Sequence, residues 1–303
     1  MHIRTVEMDD GTSIHACVLK PLTSPIGHIH ILHGMSEHIG RYAEFMTFLA
    51  EQGYIVSGHD HRGHGKTASL HGFLGHFGDD VPFDRIVQDA HEVITSIRQE
   101  VQVDRFILFG HSMGSFIARR YVQLHHEVDQ LILSGTGGDP GLGGVAGRGL
   151  ARVSGRMRGF NSRDPLLNKL VFGAFSKSVS NAQTPFDWLS TDAETVQNYI
   201  EDPLCGAVPT TKFFFELFAG LEKVNDVQLH RAISKGLPIL FLSGSEDPVG
   251  RKGKGVWEAA HQYEKAGIEQ ITVMLYDKGR HEMLQEQNRQ EVYHFIVDWI
   301  EGK

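Results

Sequence analysis

One junction constrains the fold of this chain more than any other feature. An apolar run at 106–109 leads directly into Gly110-His111-Ser112-Met113-Gly114, and apolar residues then recur at helical spacing from Phe116 to Tyr121. A G-x-S-x-G turn between a strand and a helix is so sharp that the serine backbone is strained, and a Cβ at either glycine would collide with the neighbouring strand or helix. The junction therefore predicts a strand, a tight turn that presents the Ser112 hydroxyl, and a helix.

Most of the chain alternates short apolar, β-branched runs with longer amphipathic stretches, which is typical of a parallel sheet connected by helices. The residues around Asp9-Asp10-Gly11 are typical of a hairpin. We therefore expect an α/β fold with a mostly parallel central sheet flanked by helices. The predicted strands cover residues 28–32, 54–57, 105–109, 130–133, 238–242 and 271–275, and the predicted helices cover 42–52, 84–100 and 284–300.

The alternation stops between Gly137 and about His230. Residues 137–159 are rich in glycine, and helix-like segments follow at 165–175, 192–200 and 210–224. We interpret this region as an all-helical cap, inserted after one strand of the sheet, with a glycine-rich and mobile entry. The predicted domains are a core of residues 1–137 and 231–303 and a cap of residues 138–230.

Composition limits the classes of partner and compartment. A formal net charge of −8 argues against a nucleic acid as the partner. The two cysteines, Cys17 and Cys205, lie far apart without metal-ligand spacing, which favours a reducing cytoplasm over a disulfide framework. The first residues lack a signal-peptide stretch, and no run approaches the roughly 18 apolar residues of a membrane span. We expect a cytoplasmic protein whose membrane contact is peripheral, and no oligomeric state is predicted.

Two later loops supply the partners that a serine nucleophile requires. Such a serine needs a base that takes its proton and a carboxylate that orients the base. In enzymes whose serine lies on a G-x-S-x-G turn of this kind, these residues follow in the order Ser, Asp or Glu, His, each after a strand. Asp247 follows the strand at 238–242, and His281 follows the strand at 271–275. Ser112, Asp247 and His281 are therefore the candidate nucleophile, acid and base. Glu246 remains a rival acid, and a helix-capping Asp247 beside an ordinary loop histidine remains the alternative.

A tetrahedral intermediate also needs two backbone N–H donors aimed at its oxyanion. Met113 follows the nucleophile and opens a helix whose first amides are free. The second donor is expected from the loop after the strand at 28–32, where Gly34 permits a close approach and Met35 follows it. Met35 and Met113 are therefore the candidate oxyanion donors, although His33-Gly34 is equally compatible with a simple strand-ending turn.

Three histidines around one aspartate invite a metal hypothesis. The segment His59-Asp60-His61-Arg62-Gly63-His64 differs from the H-x-H-x-D-H order of metallohydrolase ligands. A structural turn in which Asp60 binds backbone amides is the favoured interpretation. No metal site is predicted.

A longer set of motifs carries a family resemblance. The segment from His33 to Tyr42 resembles the H-G-x-x-E-H-x-G-R-Y segment of the monoacylglycerol lipase and lysophospholipase family of α/β-hydrolases. The resemblance implies an α/β-hydrolase fold and a serine carboxylic-ester hydrolase for single-chain acyl lipids, without metal or cofactor. It also implies that Glu37 and Arg41 lie near the polar head of the substrate. The other matching segments are 58–65, 110–114, 244–248, 279–282, 187–190 and 199–204.

Two further features bear on the substrate. Five arginines between Arg148 and Arg163 allow peripheral contact of the cap with an anionic lipid surface, although a solvated cap face is the simpler interpretation. The apolar stripe from Phe213 to Leu221 packs partly on the core and could line an acyl-chain tunnel.

The alternatives to a lipid ester hydrolase are a general esterase or thioesterase for short soluble acyl substrates and a catalytically inactive lipid-binding protein.

Overall fold

A central eight-stranded sheet organises the molecule. The computed structural model describes residues 1–303, apart from the side chain of His71. The strands are β1 (His2–Glu7), β2 (Ser13–Leu19), β3 (Gly27–Leu32), β4 (Tyr54–His59), β5 (Phe106–His111), β6 (Gln130–Ser134), β7 (Ile239–Gly244) and β8 (Ile271–Tyr276). They lie in the order β1-β2-β4-β3-β5-β6-β7-β8. β2 is antiparallel to both β1 and β4, and all other neighbours are parallel. The predicted α/β class with a mostly parallel sheet is confirmed.

Ten α-helices surround the sheet in the part of the chain that the structure describes. They are α1 (Ala43–Glu51), α2 (Gly65–His71), α3 (Phe83–Arg98), α4 (Met113–Leu124), α5 (Gly141–Arg158), α6 (Pro165–Lys177), α7 (Ala193–Glu201), α8 (Thr211–Val224), α9 (Lys254–Lys265) and α10 (Arg289–Glu301). Short 3₁₀ turns cover Ile39–Tyr42, Leu229–Ala232 and Met283–Gln285. The last of these explains why α10 begins five residues after the predicted start at 284.

The inner strands are apolar without alternation because helices cover both faces of the sheet. All six residues of β3, β4, β5 and β7 are buried. On one face, Phe106 and Phe241 pack with Ile117 of α4; on the other, Ile29 and Leu240 belong to the layer under α1 and α10. The predicted hairpin is also confirmed, since β1 and β2 pair with Glu7 opposite Ser13.

The glycine-rich segment differs from the expectation. It was predicted as a mobile entry, but it forms the 18-residue helix α5. Small residues make this possible by bringing α5 close to its neighbours: a Cβ at Gly147 would lie 2.7 Å from Phe218 of α8, and a Cβ at Gly155 would lie 2.6 Å from Phe160. Close packing therefore offsets the low helix propensity of glycine here.

Helices α5 to α8 all lie between β6 and β7. Residues 138–230, which we call the inserted segment, contain no strand among the described residues beyond an isolated bridge of Arg163 with Thr210. Their separation from residues 1–137 and 231–303 as a distinct domain stays a prediction. Among the described residues, none of the helices combines the length and the hydrophobicity that crossing a membrane requires.

Candidate active site

Ser112 lies at the turn between β5 and α4. Its backbone has φ 52° and ψ −119°, a left-handed conformation that costs free energy for a residue with a Cβ. The glycines two residues to either side are required by close backbone contacts. A Cβ at Gly110 would clash with the carbonyl oxygen of Gly114, and a Cβ at Gly114 would clash with that of Leu32. The predicted strand, tight turn and helix are therefore present.

His281 and Asp247 meet on the loops after β8 and β7. The His281 Nδ1 atom lies 3.0 Å from each carboxylate oxygen of Asp247. The same carboxylate accepts the Val249 amide at 2.9 Å and the Ser243 hydroxyl at 3.0 Å. With Nδ1–H donated to Asp247, the ring keeps Nε2 as its proton acceptor. The rival acid Glu246 is exposed and makes no side-chain bond with His281 among the described residues.

The surrounding charges set the protonation of this pair. Burial alone would lower the pKa of His281, but the negative charges of Asp247, Glu282 and Glu37 outweigh it and raise the pKa above its ordinary value. Burial would raise the pKa of Asp247, yet His281 and the hydrogen bonds to the carboxylate lower it overall. Asp247 is thus held as a carboxylate, which stabilises positive charge on the imidazole.

Ser112 and His281 line one cavity of about 370 Å³. His111 lies beside them, with its ring centroid 4.7 Å from that of His281. Gly135 leaves room for both rings, since a Cβ there would lie within 3.0 Å of each. In the part of the chain that the structure describes, the Ser112 hydroxyl makes no hydrogen bond with His281. Catalytic contacts are often longer without substrate, so the shared cavity is the relevant geometry.

The loop after β3 passes directly beside Ser112. A Cβ at Gly34 would lie 3.1 Å from the Ser112 Cβ, so the absence of a side chain allows the approach. Met35, the next residue, lines the cavity. Met113 is the first residue of α4, and an amide in that position has no partner within its own helix. One candidate oxyanion donor therefore follows the serine in the chain, and the other lies on the neighbouring loop beside it.

Glu37 and Arg41 form a buried ionic cluster at this loop. The Glu37 carboxylate accepts the Gly34 amide at 2.5 Å, the Tyr42 hydroxyl at 2.8 Å and Arg41 Nη1 at 2.6 Å. Burial would raise the pKa of Glu37, but Arg41 and the hydrogen bonds lower it to about 2. Arg41 also binds Glu282 through two bonds of 2.6 and 2.7 Å. Glu37 lines the cavity, whereas Arg41 lies behind it, and their contact with a substrate head group stays a prediction.

The inserted segment supplies the opposite wall of the cavity, which sequence reasoning missed. Asn168, Phe172 and Ser176 line the cavity from one face of α6. Trp188 packs on the His281 ring at 5.1 Å between centroids, and the Glu282 amide donates to the Leu189 carbonyl at 2.7 Å. The sequence signal for this wall was the i, i+4, i+8 spacing of Asn168, Phe172 and Ser176, which places them on one face of a helix.

The aromatic stripe of α8 has a different role from the predicted tunnel. Phe213 and Phe214 are fully buried in apolar clusters, with Phe213 stacked on Phe77 at 4.2 Å. Neither residue, nor any other member of the stripe, lines the cavity that contains Ser112. The tunnel interpretation is therefore wrong for this cavity, because α8 packs against α3, α4 and α5 and contributes no residue to the cavity lining.

Asp60 acts as predicted in a structural turn. Its carboxylate accepts the backbone amides of Ile39 and Lys66, each at 2.8 Å. Burial would raise the pKa of Asp60, but these bonds and nearby histidines lower it to about 2. The prediction that this aspartate fixes backbone amides is confirmed.

Two groups elsewhere bring three metal-ligand atoms within 4.8 Å of one another. In the first, His38 accepts the Gly40 amide on Nδ1 and therefore carries its proton on Nε2, which donates to Asp202 at 2.8 Å. In the second, His91 and His125 stack at 3.8 Å with an interplanar angle of 6°, so their lone pairs run parallel and do not converge. Hydrogen bonding and stacking account for both groups.

Comparison with known proteins places the chain in a family. A family model described as "Serine aminopeptidase, S33" (Hydrolase_4) matches residues 23–288. The monoglyceride lipase of Rattus norvegicus is 26% identical over 302 residues, covering 96% of this chain and 88% of that protein. A monoglyceride lipase homolog of Monkeypox virus is 32% identical over 109 residues, which is 36% of this chain and 37% of that protein.

A solved structure agrees with these relatives over the whole chain. A highly thermostable carboxyl esterase from Bacillus coagulans, in complex with glycerol, has a TM-score of 0.92 at 26% identity and covers 99% of this chain and 98% of its own. The resemblance drawn from the segment after β3 and from the later loops is thereby confirmed. Because the family model spans most of its length, this chain belongs to the Hydrolase_4 family and is an α/β-hydrolase related at low identity to the monoglyceride lipases.

Proposed function

We propose that this protein is a serine carboxylic-ester hydrolase that cleaves single-chain acyl lipids, namely monoacylglycerols and lysophospholipids. Ser112 is the nucleophile, His281 the general base and Asp247 the acid that orients it. The amides of Met35 and Met113 bind the oxyanion, and Glu37 and Arg41 contribute to the polar end of the site. No metal or other cofactor takes part.

One observation carries the proposal: a strained serine and an aspartate-bound histidine line the same cavity. The Ser112 backbone has a φ of 52°, a strained conformation. Its cost in free energy is expected where the strain serves a function. The two 3.0 Å bonds to Asp247 fix the tautomer in which Nε2 accepts a proton. Each of the three residues follows the end of a parallel strand, the edge at which open α/β sheets bind ligands.

The reaction proceeds in two acyl transfers. His281 takes the Ser112 proton as the hydroxyl oxygen attacks the ester carbonyl, and the Met35 and Met113 amides donate to the resulting oxyanion. The tetrahedral intermediate collapses, and the alcohol leaves with the proton from His281. Water then attacks the acyl-enzyme with His281 again as base, which releases the acid and restores the serine.

The cavity wall and the relatives support a lipid substrate. Met35, Phe172, Phe186, Trp188 and Leu189 give the cavity an apolar lining, and burial of each substrate methylene contributes about 0.8 kcal/mol. The named monoglyceride lipases and the glycerol-bound carboxyl esterase act as precedents for an ester of this class. A chain-length preference follows from the lining.

A second part of the proposal concerns the membrane. Residues 141–163 contain five arginines and no acidic residue, within a chain of net charge −8. Apolar side chains are exposed beside them on α5 and α6. We propose that this face rests on an anionic lipid surface, so that a cytoplasmic enzyme takes its substrate at the membrane. The exposed apolar residues are Leu142, Val145, Leu150, Val153, Met157, Leu166 and Leu170.

The central test is Ser112→Ala with a substrate panel. Wild-type protein should hydrolyse p-nitrophenyl and monoacylglycerol esters with kcat/KM rising toward longer acyl chains, and the variant should lose turnover and fluorophosphonate labelling while its circular dichroism is unchanged. Full turnover in the variant would contradict the assignment. Preference for short acyl or thioester substrates would favour a general esterase. Preference for aminoacyl anilides would favour the aminopeptidase chemistry named in the family description. Lipid binding without turnover would favour an inactive binding protein.

A further inference from the structure

Five buried histidines and a serine form one continuous hydrogen-bonded chain that ends at the loop carrying Met35. It begins on β3, crosses between β3 and β4 inside the sheet, and leaves at the carboxyl edge beside the active site. Adjacent polar atoms lie 2.6 to 3.2 Å apart. Every member is 0% exposed. We call it the imidazole chain, and its members in order are His28, Ser57, His30, His59, His61 and His33.

The end of the imidazole chain fixes the direction of every bond in it. His61 Nε2 lies 3.2 Å from the His33 carbonyl oxygen, which can only accept, so Nε2 carries the proton and Nδ1 does not. His61 Nδ1 must then accept from His59 Nε2–H, and His59 Nδ1 from His30 Nε2–H. His30 Nδ1 in turn accepts the Ser57 hydroxyl, which accepts from His28 Nε2–H.

This order requires neutral rings, and burial keeps them neutral. Desolvation lowers the pKa of His28 and of His59 to about 3. It also lowers the pKa values of His30 and His61 well below the ordinary value. A second proton on any of these rings would leave two donors facing each other. The imidazole chain therefore holds one tautomeric state across the neutral pH range.

The loop that presents Met35 is held at two successive peptide units. The imidazole chain holds the first through the bond from His61 Nε2–H to the His33 carbonyl, and the His33 ring holds the second. The His61 amide donates to His33 Nε2 at 3.0 Å, so His33 carries its proton on Nδ1. That Nδ1–H donates to the Gly34 carbonyl at 2.7 Å. Because the peptide unit is planar and trans, a fixed Gly34 carbonyl also fixes the opposite direction of the Met35 N–H.

We propose that the imidazole chain orients the Met35 amide for the oxyanion, with His30, His59 and His61 as positioning residues that act through His33. The inference rests on the proposed role of Met35 as an oxyanion donor. His30 matters because its Nε2–H binds His59 Nδ1, so that His59 presents Nε2–H to His61 Nδ1 and the His61 proton stays on Nε2, facing the His33 carbonyl. A buried apolar residue in place of His30 would fill the space but would break the relay of donors.

Two substitutions of His30 separate the relay from simple packing. The amide of His30→Gln can accept from Ser57 and donate to His59, as the imidazole does, whereas His30→Leu can do neither. We expect His30→Leu to lower kcat about tenfold with KM unchanged, because an oxyanion contact forms only in the transition state. His30→Gln should keep the wild-type kcat. Equal kcat in the two variants, at either level, would overturn the proposal.

A control and a spectroscopic measurement complete the test. His230 is a buried histidine outside the imidazole chain, bonded to the Val224 carbonyl at 2.8 Å, so His230→Leu should lose stability but keep kcat. Side-chain ¹⁵N spectra of wild-type protein should show Nε2–H tautomers for His30, His59 and His61 and an Nδ1–H tautomer for His33. Mixed or reversed tautomers would overturn the proposal even if His30→Leu does not fold. The spectra need no substrate, so an absence of ester hydrolysis would count against the proposed function alone.

Discussion

The turn that carries Ser112 and the helix α5 are both rich in glycine, yet they use it for different reasons. At the turn, Gly110 and Gly114 are required because backbone atoms of neighbouring elements occupy the space of a Cβ. In α5, a Cβ added at Gly143 or Gly149 would meet no atom within 4 Å. A Cβ added at Gly147, on the packed face of the helix, would meet a side chain. A glycine that is required by backbone contacts can be recognised from a short sequence motif. A glycine that is required by side-chain packing cannot.

The largest effect on the rate is expected at Asp247, the residue that binds His281. Asp247→Asn removes the charge that stabilises the imidazolium and allows the wrong tautomer of His281, so kcat should fall about 10⁴-fold. Initial rates with a p-nitrophenyl ester measure it. Glu246→Gln, at the exposed neighbouring position, is the matched control and should behave as wild type. The opposite ranking of the two variants would assign the acid role to Glu246.

The turn itself should tolerate no added carbon. Gly114→Ala places a Cβ against the Leu32 carbonyl, which belongs to a strand that cannot shift, so the free energy of unfolding should fall by about 3 kcal/mol. Urea denaturation followed by fluorescence gives this value. Gly236→Ala, whose Cβ would meet nothing within 4 Å, is the control. Similar stability of both variants would mean that the clash at Gly114 is relieved.

Local sequence patterns predicted some features of the fold and of the candidate site but not the contacts between distant residues. Ser112, Asp247 and His281 could be predicted as one site because each follows a short apolar strand, and parallel strands end at one edge. The bond between Arg41 and Glu282 joins residues 241 positions apart, and no local pattern indicates it. Likewise, helical spacing predicted that α8 has an apolar face but could not tell core packing by Phe213 from a tunnel wall. Tertiary contacts decide such cases, and propensity does not.

The inserted segment should govern membrane contact and leave the chemistry unchanged. Arg152→Gln with Arg156→Gln removes two exposed cations from α5, and at about 1 kcal/mol for each the affinity for anionic vesicles should fall on the order of 30-fold. Co-sedimentation with phosphatidylserine vesicles measures it, and kcat on a soluble p-nitrophenyl ester should not change. Arg289→Gln, on α10 outside the inserted segment and bonded to Glu44, is the control. Unchanged vesicle binding would favour a solvated face.

A smaller effect is expected at the contact between the two regions. Glu282 is bonded to Arg41 and, through its amide, to Leu189 of the inserted segment, and its charge raises the pKa of His281. His281 must be neutral to act as base, so kcat/KM should fall on the acidic side of a midpoint that lies above the ordinary pKa of histidine. Glu282→Gln removes one raising charge and should move that midpoint to lower pH. A midpoint that stays in place, or rises, in kcat/KM profiles would contradict this coupling.

The smallest effect tests whether α5 is shaped by packing. Gly149→Ala adds a methyl group on the exposed face, where helix propensity alone should stabilise the protein by about 0.5–1 kcal/mol. Gly147→Ala has the same propensity gain, but its Cβ would lie 2.7 Å from Phe218 and must displace that ring, so it should destabilise. Urea midpoints of the two variants give the signs. If both stabilise, α8 does not hold α5 closely, and the glycines of this helix are not required by contact with Phe218.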